Sequence, residues 1–127
     1  MKRDIKITTT DGTAEASLFT PAGDGEGNAG VILYMDAFGL RPALDTMAER
    51  MAALGYTVLV PDLFYRKAPY GPFDAKTAFA NDKSRAEIMA MLGGTTHAMT
   101  ASDTAAFLAA LDTAGATGKV GTVGYCF

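Results

Sequence analysis

Residues 122–127 read Thr-Val-Gly-Tyr-Cys-Phe, in which the end of an apolar strand leads directly into Gly-x-Cys. A glycine, one further residue and a nucleophile are typical of the sharp turn that presents a catalytic side chain after a strand. The nucleophile here is the thiol of Cys126, and the second glycine of such a turn would be residue 128. The stretch therefore predicts a nucleophile at the carboxyl end of a buried strand, in a chain that carries one part of an active site.

Five segments of the chain have the pattern of β-strands. They are residues 4–9, 14–19, 30–35, 56–60 and 119–124. The first two flank Asp11-Gly12, a dipeptide that favours a hairpin turn. The runs at 30–35 and 56–60 are almost continuously apolar, as expected of strands buried on both faces of a parallel sheet.

Helical segments alternate with the later strands. Pro42 suits the first position of a helix, and Gly55 suits the left-handed cap that ends it. The predicted buried face of this helix consists of Leu44, Met47, Ala48, Met51 and Leu54. Residues 74–91 are helical in composition. Alternating strands and helices predict an α/β fold with a mostly parallel sheet flanked by helices, in one domain.

A third helix is predicted before the last strand. Thr100 and Asp103 have the spacing of a capping box, which would start a helix that runs to Ala114. Its predicted buried face consists of Phe107, Leu108 and Leu111, and Gly115 is its predicted cap.

Composition excludes several classes of protein. The chain has 127 residues, of which 49% are hydrophobic and 20% charged, as in a globular domain. The net charge of -3 comes from interspersed signs, which argues against a nucleic-acid partner. No apolar run is long enough to span a membrane, and the amino-terminal residues lack the apolar core of a signal peptide. A single cysteine excludes an intrachain disulfide, so we expect a cytoplasmic protein.

Three blocks of sequence are more specific. They read YMDAFG at 34–39, GYxxxxPDLF at 55–64 and GKVGxVGYC at 118–126. In this order and at about this spacing, they resemble the dienelactone hydrolase family of the α/β-hydrolase superfamily. The resemblance runs through essentially the whole chain but reaches only the N-terminal part of a family domain. It implies an α/β-hydrolase-type fold truncated at the nucleophile turn, with residues 1–127 as a single incomplete domain.

The resemblance also implies an enzyme. Family members hydrolyse lactones or small carboxylic esters, as carboxymethylenebutenolidase does, through a Cys-Asp-His triad. Cys126 would be the nucleophile, and the aspartate and histidine would lie beyond this chain. The expected partner is a small lactone or ester, with no metal and no cofactor, and a second chain or fragment could complete the fold.

Further site residues follow from the family pattern. The backbone N–H groups of Phe127 and Ala37 would form the oxyanion hole. Asp36 occupies the position of a family glutamate that contacts the resting thiol, and the alternative is a polar cap at a strand end. Arg85 lies near a family arginine that binds a substrate carboxylate, and the alternative is a solvated surface residue.

Two other polar residues are interpreted differently. His97 is the single histidine of the sequence, but in α/β-hydrolases both the acid and the histidine follow the nucleophile. We therefore expect His97 to line a pocket at most, without acting as the general base. Asp62, directly after Pro61, is interpreted as a turn residue.

Two other classes of function remain to be compared. A non-catalytic binding or assembly module could keep the fold without the chemistry. A doubly wound nucleotide-binding domain is disfavoured because no Gly-rich turn follows the first parallel strand. In the hydrolase fold the 119–124 strand lies beside the 30–35 strand. A chain that ended at Phe127 would therefore expose an apolar sheet edge, and we expect such a chain to self-associate.

Overall fold

Five strands form one sheet in the computed structural model, which describes residues 1–22, 28–71, 73–74 and 76–124. They are β1 (Lys2–Thr9), β2 (Gly12–Phe19), β3 (Gly30–Tyr34), β4 (Thr57–Pro61) and β5 (Val120–Gly124). Their order in the sheet is β1-β2-β4-β3-β5. The pairs β1–β2 and β2–β4 are antiparallel, whereas β3 pairs in parallel with both β4 and β5. The α/β fold and the position of the last strand beside β3 are confirmed, and the described sheet is mixed.

The first helix, α1, runs over Pro42–Ala53 with the proline at its first turn, as predicted. Gly55 has φ 103°, the left-handed conformation expected of the cap. The buried residues of α1 are Leu44, Ala48 and Ala52, which follow an i, i+4 spacing. Leu54 lies outside this buried stripe and is 78% exposed, so the prediction that Leu54 is buried is wrong.

The second helix begins later than predicted. It is α2, Asp82–Gly94, and the side chain of its N-cap Asn81 accepts hydrogen bonds from two backbone N–H groups of the first turn. The carboxylate of Asp74 accepts a hydrogen bond from the backbone N–H of Lys76, and such a local turn competes with helix formation. The prediction of a helix over 74–91 is therefore wrong for its first turns.

The third helix begins earlier than predicted. It is α3, His97–Thr113, and the Thr96 hydroxyl caps it by accepting a hydrogen bond from the Met99 N–H at 3.1 Å. The predicted capping box of Thr100 and Asp103 is wrong, because the helix already begins one turn before Thr100. Asp103 is instead buried inside the fold.

The buried side of α3 agrees only in part with the prediction. Phe107 and Leu111 are fully buried, whereas Leu108 is 42% exposed. Gly115 has the left-handed φ expected of the cap. Both α1 and α3 pack against β4, every residue of which is buried. In the part of the chain that the structure describes, no helix is long and apolar enough to cross a membrane.

A buried polar network ties the amino-terminal hairpin to α3. The Arg66 guanidinium donates two hydrogen bonds of 2.9 Å to the carboxylate of Asp103 and pairs with Asp11 at 2.7 Å. The Tyr65 hydroxyl also donates to Asp103, at 2.9 Å, and lies 2.6 Å from the Thr9 hydroxyl. A carboxylate this deeply buried is tolerated because a bidentate cation compensates its charge.

We predict that Arg66→Met lowers the free energy of unfolding by about 3–5 kcal/mol, because the Asp103 charge would stay buried without its cation. Methionine keeps most of the length of the side chain, so the loss reports mainly on charge. Urea denaturation measures it. Arg85→Met is the matched control: Arg85 pairs with Asp82 at the exposed surface, and such pairs contribute about 0–1 kcal/mol. Equal losses in the two variants would contradict the role given to the network.

Candidate active site

The carboxyl ends of β3, β4 and β5 meet at one edge of the sheet, because these three strands are parallel to one another. Tyr34, the last residue of β3, pairs with Gly124, the last residue of β5. Ligands of open α/β sheets bind at this kind of edge. The segments that follow the three strands are therefore the first place to look for a site.

The loop after β3, residues 35–41 (the β3 loop), is folded around the side chain of Asp36. Its Oδ1 accepts a hydrogen bond from the Phe38 N–H at 3.0 Å and forms an ion pair with the Arg41 guanidinium at 2.5 Å. The Gly39 N–H donates to the Asp36 carbonyl oxygen at 3.3 Å, which closes a tight turn. The Arg41 guanidinium also lies 5.3 Å from the centre of the Phe38 ring. Asp36 is thus held by two donors with its side chain 15% exposed.

The loop after β4 contributes a second carboxylate, Asp62, which is buried. Its Oδ1 accepts hydrogen bonds from the Phe64 N–H at 2.9 Å and from the Tyr70 hydroxyl. Burial raises the pKa of the Asp62 carboxyl, although both hydrogen bonds oppose that shift. Burial, together with Asp62, also raises the pKa of Tyr70, so its hydroxyl remains a donor.

The two loops share a cleft. It has a volume of about 310 Å³ and is lined by Phe38, Leu40, Asp62, Ala68, Pro69 and Tyr70. A larger cleft of about 640 Å³ is also lined by Pro69 and Tyr70 and reaches the start of α2. Tyr70 therefore lines two clefts, one beside the β3 loop and a larger one beside the start of α2.

The structure describes some of the predicted site residues and not others. Asp36 and Ala37 lie in the β3 loop, at the carboxyl edge of the sheet, and Ala37 is buried. Cys126 and Phe127 lie outside the described residues. Arg85 is exposed on α2 and pairs with Asp82 at 3.0 Å, an arrangement that favours the surface interpretation.

His97 is the first residue of α3 and is exposed. With Tyr34, Thr100, Ala101 and Thr104 it lines an open cleft of about 420 Å³. His97 thus lies beside a cleft, a position that the sequence left possible. Within the described ranges, no group of three or more His, Cys, Asp or Glu side chains could hold a metal ion.

Sequence reasoning missed the partners of both carboxylates. Asp62 does form the predicted local turn, through the Phe64 N–H, but it is also buried and bound to Tyr70. Arg41 was not predicted as the partner of Asp36, although it lies only five residues later, in the same loop after β3. A usable signal for Asp62 was its place directly after an almost continuously apolar strand, where a carboxylate needs donors.

Comparison with known proteins agrees with this fold. A sequence model of the dienelactone hydrolase family matches residues 14–127. No curated protein matches the chain. A candidate dienelactone hydrolase from Klebsiella pneumoniae subsp. pneumoniae is similar in structure, with a TM-score of 0.78, 18% identity, and coverage of 99% of this chain and 50% of that one.

Two further solved structures show the same fold. A dienelactone hydrolase-like promiscuous phosphotriesterase from metagenomic libraries has a TM-score of 0.68 and 25% identity, over 99% of this chain and 50% of its own. An α/β serine hydrolase without a lid, from Xanthomonas campestris, has a TM-score of 0.51 and 13% identity, over 98% and 50% respectively. The chain thus has the fold of α/β-hydrolases and spans about half the length of these neighbours.

We predict that the free energy of unfolding of Asp62→Asn, minus that of the wild type, increases as the pH rises from 4 to 7. The native state raises the pKa of the Asp62 carboxyl, so it binds this proton more tightly than the unfolded chain does. The wild type therefore loses stability as the pH rises through the raised pKa, whereas asparagine does not titrate. Urea unfolding of both proteins at the two pH values measures the difference. A difference that does not change with pH would contradict the effect of burial.

Proposed function

Because the chain belongs to the dienelactone hydrolase family, we propose that it forms part of a cysteine-dependent hydrolase of lactones or small carboxylic esters. The observation that carries this proposal is the parallel register of β3 and β5, in which Tyr34 pairs with Gly124. In the sequence, Asp36 follows Tyr34 by two residues and Cys126 follows Gly124 by two residues. The equal spacing after two paired residues supports a site in which the β3 loop and Cys126 act together.

Cys126 would attack the acyl carbon as a thiolate, which is a far better nucleophile than a hydroxyl at neutral pH. In the family turn the nucleophile precedes a helix N-terminus, which lowers the pKa of a thiol. The oxyanion of the tetrahedral intermediate would bind the backbone N–H groups of Phe127 and Ala37. The aspartate and histidine of the triad would come from outside residues 1–127, in the rest of the protein or in a second chain.

Asp36 would help to activate the thiol. Both donors that the structure describes for its side chain, Arg41 and the Phe38 N–H, bind Oδ1. A thiol in the proposed position could approach the other oxygen, Oδ2, while Arg41 and the Phe38 N–H hold Oδ1. We do not include Arg85 in this site, because its observed partner is Asp82 on the exposed surface of α2. A free catalytic thiol suits a reducing compartment, and we propose the cytoplasm.

We predict that Cys126→Ser in the complete protein lowers turnover of 4-nitrophenyl acetate and of a small lactone by at least about 10²-fold. The physical reason is that serine is not ionised in a site built for a thiolate. Iodoacetamide should in addition label Cys126 faster at neutral pH than it labels a free model thiol. Near wild-type turnover in the serine variant would show that another residue is the nucleophile. Absence of hydrolysis in a folded wild type would favour the binding or assembly module.

We also predict that His97→Gln changes turnover by less than about twofold, far below the 10²–10⁴-fold lost with a general base. His97 starts α3 and precedes Cys126 in the chain, whereas the base of an α/β-hydrolase follows the nucleophile. Steady-state kinetics of the folded variant, with circular dichroism as the folding control, measure the effect. A loss of 10² or more would make His97 the base and would contradict the proposed chain order.

A further inference from the structure

We infer that Tyr70 is a positioning residue that holds the β3 loop, and with it the Ala37 N–H, in the geometry that ester hydrolysis requires. The inference rests on the proposed function, since it concerns the same oxyanion hole. It assigns a role to a side chain that follows β4, outside the proposed set of Cys126, Asp36, Ala37 and Phe127.

The first observation is the contact between Tyr70 and Gly39. Gly39 has φ +83°, a conformation that favours glycine. A Cβ at this position would lie 2.9 Å from Cε2 and 3.0 Å from the hydroxyl oxygen of Tyr70. The phenol ring thus occupies the space that a side chain at residue 39 would take. The turn of the β3 loop rests directly on this ring.

The second observation is how firmly Tyr70 is held on its other side. Its hydroxyl donates to Asp62, which the Phe64 N–H also holds. Its ring packs edge-on against Phe64, with centroids 5.8 Å apart, and stacks on Phe73 at 6.3 Å. Phe64 is fully buried. Tyr70 therefore connects the buried residues that follow β4 with the β3 loop.

The third observation is that the described hydrogen bonds of the Asp36 turn lie within the β3 loop itself. Asp36 accepts from the Phe38 N–H, and the Gly39 N–H reaches the Asp36 carbonyl. These bonds shape the turn, and packing holds it against the rest of the protein: Ala37 is buried, the Phe38 ring lies edge-on to Phe79 with centroids 5.5 Å apart, and Gly39 lies against Tyr70. An oxyanion donor must be fixed before the reaction, because small displacements of such groups cost large factors in rate. The Tyr70 contact adds a support from the segment that follows β4.

Direct chemistry by Tyr70 is a weaker interpretation. Its hydroxyl is already engaged by Asp62, and burial raises its pKa, which makes the phenol a poor proton donor to a substrate. Its effect on hydrolysis would therefore act through the position of the β3 loop. A positioning role predicts a loss in kcat, with little change in KM.

Tyr65 provides a matched control. Its hydroxyl also donates to a buried carboxylate, Oδ1 of Asp103 at 2.9 Å, but its contacts are with the amino-terminal hairpin and α3. Tyr65→Phe and Tyr70→Phe each remove one phenolic hydroxyl and leave one buried carboxylate with one donor fewer. Their effects on folding should be comparable, whereas only Tyr70 touches the β3 loop.

The test measures both variants in the complete protein with 4-nitrophenyl acetate. We expect Tyr70→Phe to lower kcat about 10-fold with KM changed less than about twofold, and Tyr65→Phe to leave both within about twofold. Gly39→Ala, which places a Cβ against the Tyr70 ring, should reproduce the loss in kcat.

Several outcomes would overturn the inference. Unchanged kcat in Tyr70→Phe, or an equal loss in Tyr65→Phe, would show that the hydroxyl has no more than a structural role. A rise in KM with unchanged kcat would make Tyr70 a substrate-binding group. These results differ from failure of the proposed function, in which Cys126→Ser keeps its activity or the wild type has none. That failure would overturn both proposals.

Discussion

Parallel pairing of β3 with β4 and β5 is the constraint on which the rest of the structure depends. It brings the carboxyl ends of three strands to one edge, so the segments after β3 and β4 become neighbours although more than twenty residues separate them in the chain. Because every residue of β4 is buried, the polar residues that follow it must find partners within the protein. The cleft between Phe38 and Tyr70 is a direct consequence.

Two buried carboxylates show two ways in which the fold accommodates a polar group. Asp103 faces the Arg66 guanidinium, so its charge is compensated by a bidentate cation. Asp62 is held by a phenol and a backbone N–H, which satisfy its hydrogen bonding without neutralising its charge. The first arrangement joins elements that are distant in sequence. The second leaves a titratable group beside the candidate active site, which is where perturbed groups are often found.

Local signals predicted the ends of a helix correctly where one residue type imposes the backbone conformation. Pro42 begins α1 and Gly55 caps it, because a fixed or positive φ is a property of the residue itself. The same reasoning failed for the starts of α2 and α3. Asn81 and Thr96 cap those helices, although Asp74 and Thr100 offered comparable side-chain oxygens. Several residues can form a cap, and packing of the whole helix chooses among them.

The amino-acid sequence alone determined the α/β class and the hairpin through local periodicity and turn residues. Its short motifs also indicated the family, and the family resemblance implied that the last strand lies beside β3. The nucleophile assignment to Cys126 also comes from the sequence, and it remains a prediction. Only the tertiary structure decided the partners of the polar residues. Asp62 binds Tyr70, and Asp103 binds Arg66 from 37 positions away. Such pairs depend on which loops and helices lie next to one another in the folded protein, and no local pattern of residues encodes this.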